Sequence, residues 1–244
     1  MRTSLFWLDN DLKTERHSEF VKDVFSGLGD YMSLVSRHLK EVPYGYGERP
    51  FVGYLAQTAY VTGKYWILIE YDMNVRDETS GKKRGWYRPD LYLANLRTRK
   101  CCTFEFKMDW ITRRNAVKEE HMSLIIEKGV NEARKQLHQY SYVCEWRESD
   151  YWCSLVIVRV TCRKGDIARW QRNPELYPAD LKQIKSVCKR SANSKIYSYR
   201  PNFYYNYFIN YSDLCNEKFW SNGETPTFGF IGIGRLETYR QIRY

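Results

Sequence analysis

No run in this chain approaches the roughly 20 consecutive apolar residues that a membrane-crossing helix needs, and Met1-Arg2-Thr3-Ser4-Leu5 carries no secretory signal pattern. Both absences lead to the expectation of a soluble, cytoplasmic protein with no membrane partner. The seven cysteines are an odd number and none stands in a Cys-x-x-Cys pair. That argues against a disulfide framework, a zinc site and an iron–sulfur cluster. There is no internal repeat, no low-complexity tract and no Walker-type loop, which excludes an ATP-driven motor. The glycine-spaced segment Phe228-Gly229-Phe230-Ile231-Gly232-Ile233-Gly234 is no nucleotide loop either, because no helix with a suitable start follows it.

What is abundant is positive charge, aromatic surface and apolar residues. Lys and Arg number 39 against 29 Asp and Glu, a net charge of +10 that favours an anionic partner such as nucleic acid, although many basic proteins bind no anion specifically. The 21 Tyr, 8 Trp and 11 Phe could stack on bases, but such residues more often fill cores. With 43% hydrophobic residues in 244, a sizeable core is expected and disorder is not. The expected organisation is a single domain over 1–244: an N-terminal helical segment (1–44), a core (45–162) and an aromatic-rich C-terminal extension packed on it (163–244).

The densest pattern lies at residues 86–107. A short strand begins at Pro89-Asp90 and runs through Leu91, Tyr92 and Leu93. A second, Cys101 to Met108, alternates with period two: Thr103, Glu105 and Lys107 share one face, Phe104, Phe106 and Met108 the other. A carboxylate and an amine on one side of an apolar strand are costly if that side is dry and unpaired, and make sense beside a metal ion. If the two strands are neighbours, Asp90 and Glu105 converge with an ammonium beside them.

Pro89-Asp90 followed by Glu105-Phe106-Lys107, with 14 residues between the two acids, resembles the motif of the PD-(D/E)xK nuclease superfamily, whose fold is restriction-endonuclease-like. Two further pieces match it. The segment Glu48-Arg49-Pro50-Phe51-Val52 reads as a helix start, with Val52, Leu55 and Ala59 at helical spacing. Glu48 is there either as a carboxylate favoured by the helix dipole or, as the resemblance implies, as a group that reaches the metal site. Downstream, a long helix over about 119–145 carries the apolar stripe Ile126, Val130, Ala133, Leu137, Tyr140 and Cys144. Gln136 and Tyr140 share one of its faces and match the Q-x-x-x-Y element of the RecB-type and phage-type exonuclease branch; the plain alternative is a core tyrosine with a polar neighbour.

The resemblance implies an α/β fold with an α-β-β-β-α-β core and a mixed sheet flanked by helices, covering about 45–162. It implies a metal-dependent nuclease acting on nucleic acid, DNA foremost, with Mg2+ or Mn2+ as cofactor. Its metal ligands would be Glu48, Asp90, Glu105 and the backbone carbonyl of Phe106. Asp90, Glu105, Lys107, Gln136 and Tyr140 would be its catalytic residues. A catalytically silent nucleic-acid-binding or interaction module on the same fold is the alternative, and a homodimer or protein complex is a further possible partner arrangement.

The remaining expectations are more local. Leu5-Phe6-Trp7-Leu8 suits an edge strand. Residues 14–42 read as two helices parted at Gly27-Leu28-Gly29, with apolar groups Phe20, Val24 and Phe25, then Leu34, Val35 and Leu39, and with His17 and His38 on the surface or satisfied. Lys64 to Asp72 reads as a central strand, with Glu70 and Asp72 running out into solvent, and 75–86, with Lys82-Lys83-Arg84, as a hairpin-like loop. Asp109 continues the Glu105 face. Leu155 to Val158 is a buried strand and Pro178 to about Arg190 a basic helix. The eight aromatics in 194–211 could extend the sheet, bind nucleic acid or form a dimer surface.

Overall fold

A computed structural model describes residues 4–8, 18–39, 47–70, 73–76, 83–143, 150–194, 199–214 and 226–243. In chain order the elements are strand β1 (Ser4–Trp7), helices α1 (Ser18–Ser26), α2 (Leu28–Leu39) and α3 (Glu48–Val61), and strands β2 (Tyr65–Ile69), β3 (Met73–Arg76), β4 (Lys83–Tyr87), β5 (Leu91–Asn95) and β6 (Cys101–Thr112). There follow helices α4 (Arg113–Ala116) and α5 (Glu119–Val143), strand β7 (Tyr151–Thr161), helices α6 (Lys164–Arg172) and α7 (Leu176–Ala192), strand β8 (Phe203–Phe208), helix α8 (Tyr211–Leu214), strand β9 (Thr227–Thr238) and helix α9 (Tyr239–Arg243). No helix among the described residues is long and apolar enough to cross a membrane.

Seven strands form one mixed sheet in the order β1-β8-β9-β7-β6-β5-β2, and β3 and β4 pair separately as a hairpin. Strands β6 and β7 are parallel, and every other neighbouring pair in the large sheet is antiparallel. A parallel neighbour needs a crossover, and α4 and α5 provide it, carrying the chain from the end of β6 to the start of β7. The molecule is thus α/β, with helices on both faces of the sheet.

The period-two alternation of β6 decides which side chains enter which core. Cys102, Phe104 and Phe106, with Cys153, Leu155 and Ile157 of β7, meet Phe20, Val24 and Phe25 of α1 and Phe51 and Leu55 of α3. On the opposite face Val156, Val158 and Val160 of β7 pack with Met122, Ile126 and Val130 of α5 and with Trp170 of α6 and Ile184 of α7. A strand covered on both sides has no reason to alternate, which accounts for the unbroken apolar run Leu155 to Val158. The α5 stripe from Ile126 to Tyr140 is buried throughout, whereas Cys144 lies outside the described residues.

The N-terminal half departs from the sequence reading at two points: the segment read as a central strand is β2, an edge strand that among the described residues pairs with β5 alone, and α2 turns a different face to the core. The two helices part at Gly27, but Leu34, read as part of an apolar stripe, is 54% exposed. The residues of α2 that enter the core are Leu28 and Met32, one turn apart. His17 and Asp72 lie outside the described residues, as does Lys82; His38 lies in α2, and Lys83 and Arg84 in β4.

Of the roles open to the aromatic-rich segment, the structure shows sheet extension. All six residues of β8 are buried, and β8 inserts between β1 and β9. Its rings lie directly over glycines of β9. A Cβ at Gly229 would stand 2.3 Å from a Phe208 ring carbon, and one at Gly234 would stand 2.4 Å from Phe203. The helix α6 has no counterpart in the sequence reading. It is fixed at its start by Asp166, whose carboxylate accepts from the backbone N–H of Arg163 at 2.9 Å and from Arg113.

Candidate active site

Strand pairing brings the two halves of the motif together. Leu91 pairs with Phe104 and Tyr92 with Thr103, so one step further along the ladder Asp90 stands opposite Glu105. Cross-strand partners share a face, and both carboxylates therefore rise from the same side of the sheet. Pro89, buried and without an N–H, leads into β5 and leaves Asp90 just ahead of the strand. Freed from a regular ladder position, the Asp90 carboxylate accepts a hydrogen bond from the backbone N–H of Phe106 at 2.7 Å, clasping the middle of β6.

Glu105 and Lys107 are two apart on β6 and meet on that same side. The Lys107 ammonium donates to Glu105 Oε1 at 2.9 Å and to the carbonyl of Phe106 at 2.8 Å. The second Glu105 oxygen, Oε2, is buried and has no hydrogen-bond partner. Glu48, in the first turn of α3, accepts from the backbone N–H of Met108 at 3.0 Å. The carboxylates from the start of α3, the lead-in to β5 and the centre of β6 are thus fastened around three successive residues of β6, Phe106 to Met108.

Burial first, and the charge of neighbouring acids after it, raises the pKa of both Glu105 and Asp90. Burial pushes the Glu105 carboxyl up to about 8, helped by the neighbouring Asp90 and opposed by Lys107. Burial likewise lifts Asp90 to about 6, with the Phe106 N–H pulling it down and the Glu48 charge pushing it up. Burial works against the Lys107 ammonium, but Glu105, Glu48 and Asp90 outweigh it and hold its pKa above the usual lysine value. These shared influences mark one electrostatic cluster.

Glu70 belongs to the same neighbourhood, although the sequence reading sends it into solvent. It follows β2 with φ of 44°, a left-handed conformation unusual for a non-glycine residue. Its N–H donates to the Asp90 carbonyl at 3.1 Å, its carboxylate pairs with Arg49 at 3.1 Å, and its charge contributes to the rise of Asp90. The signal for it is the pairing of Ile69 with Leu91, which sets Glu70 opposite Asp90; that is visible only once the strand order is known. Asp109 does continue in β6, where its carboxylate accepts from the N–H of Trp110 at 2.7 Å.

The two residues on α5 are less closely engaged. Tyr140 packs with Leu137, Trp152 and Ile242 in a small core cluster of its own. Gln136 is half-buried, with Oε1 buried and unpartnered. Two buried oxygens, on Glu105 and Gln136, are therefore left without donors, a costly condition that a cation or water relieves.

No three His, Cys, Asp or Glu side chains among the described residues form a closed metal-binding group. The donors present here are hard oxygens: Asp90, Glu105 with its unpartnered Oε2, and the Phe106 carbonyl. That set suits a small divalent cation that keeps several of its own waters and needs only one or two carboxylates. Comparisons with protein-family models, with curated proteins and with solved structures find no match to this chain.

Proposed function

We propose that this chain is a metal-dependent nuclease of the PD-(D/E)xK type, hydrolysing phosphodiester bonds of nucleic acid, with DNA the foremost substrate. The observation that carries this reading is the convergence of Asp90 and Glu105 on one face of β5 and β6, with Lys107 on Glu105 Oε1 and Glu105 Oε2 buried and unpartnered. The order α3-β2-β5-β6-α5-β7, with β6 and β7 parallel, agrees with the α-β-β-β-α-β core of that superfamily once the β3–β4 hairpin is set aside as an insertion.

Asp90, Glu105 and the Phe106 carbonyl would hold Mg2+ or Mn2+, with Glu48 adjoining through Met108. When bound, such an ion supplies Lewis acidity to a phosphoryl oxygen and lowers the pKa of a coordinated water. The protein's own contribution is positional. Lys107 carries a positive charge beside the carboxylates, where it offsets negative charge that builds on phosphoryl oxygens during hydrolysis. Phe104 and Phe106 anchor β6 from the other face, so the acids project from a rigid strand. Gln136, on α5 above the same face, offers an unsatisfied amide oxygen that accepts from a water.

The test is digestion of linear duplex, closed-circular duplex and single strands with Mg2+ or Mn2+, run beside Glu105→Gln. Cutting that needs the ion and is lost in the variant supports the reading. Cutting that persists in a chelator, or in the variant, overturns it.

A further inference from the structure

The face of the sheet that carries the acidic cluster continues across β5 to β2; on it Tyr92 is buried and Leu68 half-buried, and exposure begins at Trp66, on the outer edge. Helix α5 packs over β6, β7 and β9, which leaves β5 and β2 beyond its edge. Leu68 pairs with Tyr92, and Tyr92 with Thr103; Trp66 pairs with Ala94. Trp66, Leu68, Tyr92, Thr103 and Glu105 therefore share one face. Along it Trp66 is 55% exposed, on the edge strand of the sheet. Its ring is braced edge-on by Tyr92, with centroids 6.2 Å apart. A large ring held in place and more than half exposed suits stacking better than an apolar core.

Distance and charge specify what it would stack on. Tyr92 is two residues from Asp90, about 7 Å along the strand, so Trp66 lies a few nucleotide spacings from the acidic cluster. The two ends of β5 are basic. Exposed Arg88 precedes it, and in the turn Leu96-Arg97-Thr98-Arg99-Lys100 that follows Arg97 and Arg99 are exposed, while Lys100 is paired with Asp150. A phosphate backbone following β5 would meet cations at both ends and an aromatic plane between them. The face of a paired base is already stacked within the duplex, so only an unpaired base can use such a plane.

Resting on the nuclease reading above, we propose that the exposed outer edge at Trp66 and the turn 96–100 beside it form the track of an unpaired nucleic-acid strand, with Trp66 its base-stacking platform and Arg97 and Arg99 its phosphate contacts, so that the substrate is single-stranded or has a single-stranded end.

The test is equilibrium binding in chelator, where nothing is cut. The probes are a labelled single strand of about twelve nucleotides, within the range of single-strand site sizes, and a blunt duplex of the same sequence. The parent protein is expected to prefer the single strand. Trp66→Ala should weaken that binding about tenfold, as loss of one base–aromatic stack does. Trp66→Phe should retain most of it, and the duplex should be little affected by either. Arg97→Ala with Arg99→Ala should lower the salt dependence of binding. Circular dichroism checks that each variant folds, and size exclusion checks its oligomeric state.

Equal single-strand binding by folded Trp66→Ala, or a preference of the parent for blunt duplex, overturns the platform. So does a parent dimer that Trp66→Ala converts to monomer, because the ring is then covered by a second copy. Cleavage that depends on Glu105 but is indifferent to Trp66 removes this inference alone. Absence of both binding and cleavage removes the nuclease reading with it.

Discussion

A carboxylate that is 3% exposed and has one oxygen unpartnered is held in a strand at a cost. For Glu105 that cost can be read as a pH dependence. Burial raises its pKa to about 8 and that of Asp90 to about 6, both above the ordinary carboxylate value near 4. Between these limits the folded chain binds more protons at the two positions than the unfolded chain does, so stability falls as pH rises across the window. Without divalent cations, the melting temperature is expected to drop from about pH 5 to about pH 8. Glu105→Gln, which cannot ionise, should flatten that slope and melt higher than the parent at the alkaline end. A slope unchanged in the variant would show that Glu105 is already ionised in the fold. The same residue links stability to activity, because a cation there must displace a proton. Affinity for Mg2+, followed by calorimetry, should therefore rise over the same pH range in which stability falls. Asp90→Asn, Glu105→Gln and Lys107→Ala should each reduce cleavage by at least about a hundredfold while the circular dichroism spectrum is kept. Undiminished turnover in any purified variant would remove that residue from the chemistry.

The elements around the site differ in how far their roles can be read from the residues alone. Strand β6 is legible because an alternating strand shows both its faces in its own sequence, β5 because Pro89-Asp90 and the run Leu91 to Leu93 mark its start, and α5 because five stripe residues at helical spacing are all buried. What cannot be read is information that belongs to pairs of distant segments. Glu70 looks solvent-bound until β2 is known to lie beside β5, and Gly234 looks like a weakness in β9 until Phe203 is known to lie across it. Tyr140 satisfies the Q-x-x-x-Y spacing, yet its packing against Trp152 and Ile242 is a matter of where α5 ends relative to β7 and α9. Gly129 shows the same dependence and gives a test whose sign can be argued. Alanine in place of glycine within a helix gains about 1 kcal/mol of propensity. Here, however, the added Cβ would stand 2.4 Å from Cγ2 and 2.7 Å from Cβ of Val156, and overpacking of this kind costs about 1–3 kcal/mol. Gly129→Ala should therefore destabilise the parent in denaturant unfolding, and in a Val156→Ala background, where Cγ2 is gone but Cβ still stands 2.7 Å away, the cost should shrink without vanishing. An equal cost in both backgrounds would mean that the Cγ2 contact is not what opposes the added methyl.

Across the whole molecule, the last third of the chain lies within the sheet as well as around it. Strand β9 pairs along all of β7, from Tyr151 with Thr238 to Thr161 with Thr227, and β8 and β1 follow beyond it. A second tie runs through the helix above the site. Arg134 of α5 is buried, pairs with Glu237 of β9 at 2.9 Å, donates to the carbonyl of Gln241 at 3.0 Å, and stacks on Tyr199 at 3.7 Å from the ring centre. The orientation of α5, and with it Gln136, is thus set from the C-terminal side. The prediction at this scale concerns a chain ended after residue 162, the end of the segment in which the sequence motifs lie. All the acidic residues of the site would remain in it. But β7, apolar over most of its length and covered on both faces, would become an edge strand of 11 residues, its whole ladder of donors and acceptors open to other copies. It would also lose Trp170, Ile184 and Phe228 from the core beneath α5, each worth about 2–5 kcal/mol there, and with Glu237, Gln241 and Tyr199 the contacts that hold Arg134. That sum is comparable with the whole stability of an ordinary domain. The 1–162 fragment is therefore expected to aggregate on expression and to show no cooperative melt, whereas the full chain unfolds with β7 and β9 in one transition. A soluble fragment that melts cooperatively and binds Mg2+ would show instead that the acidic cluster and its strands form a unit able to fold without β9.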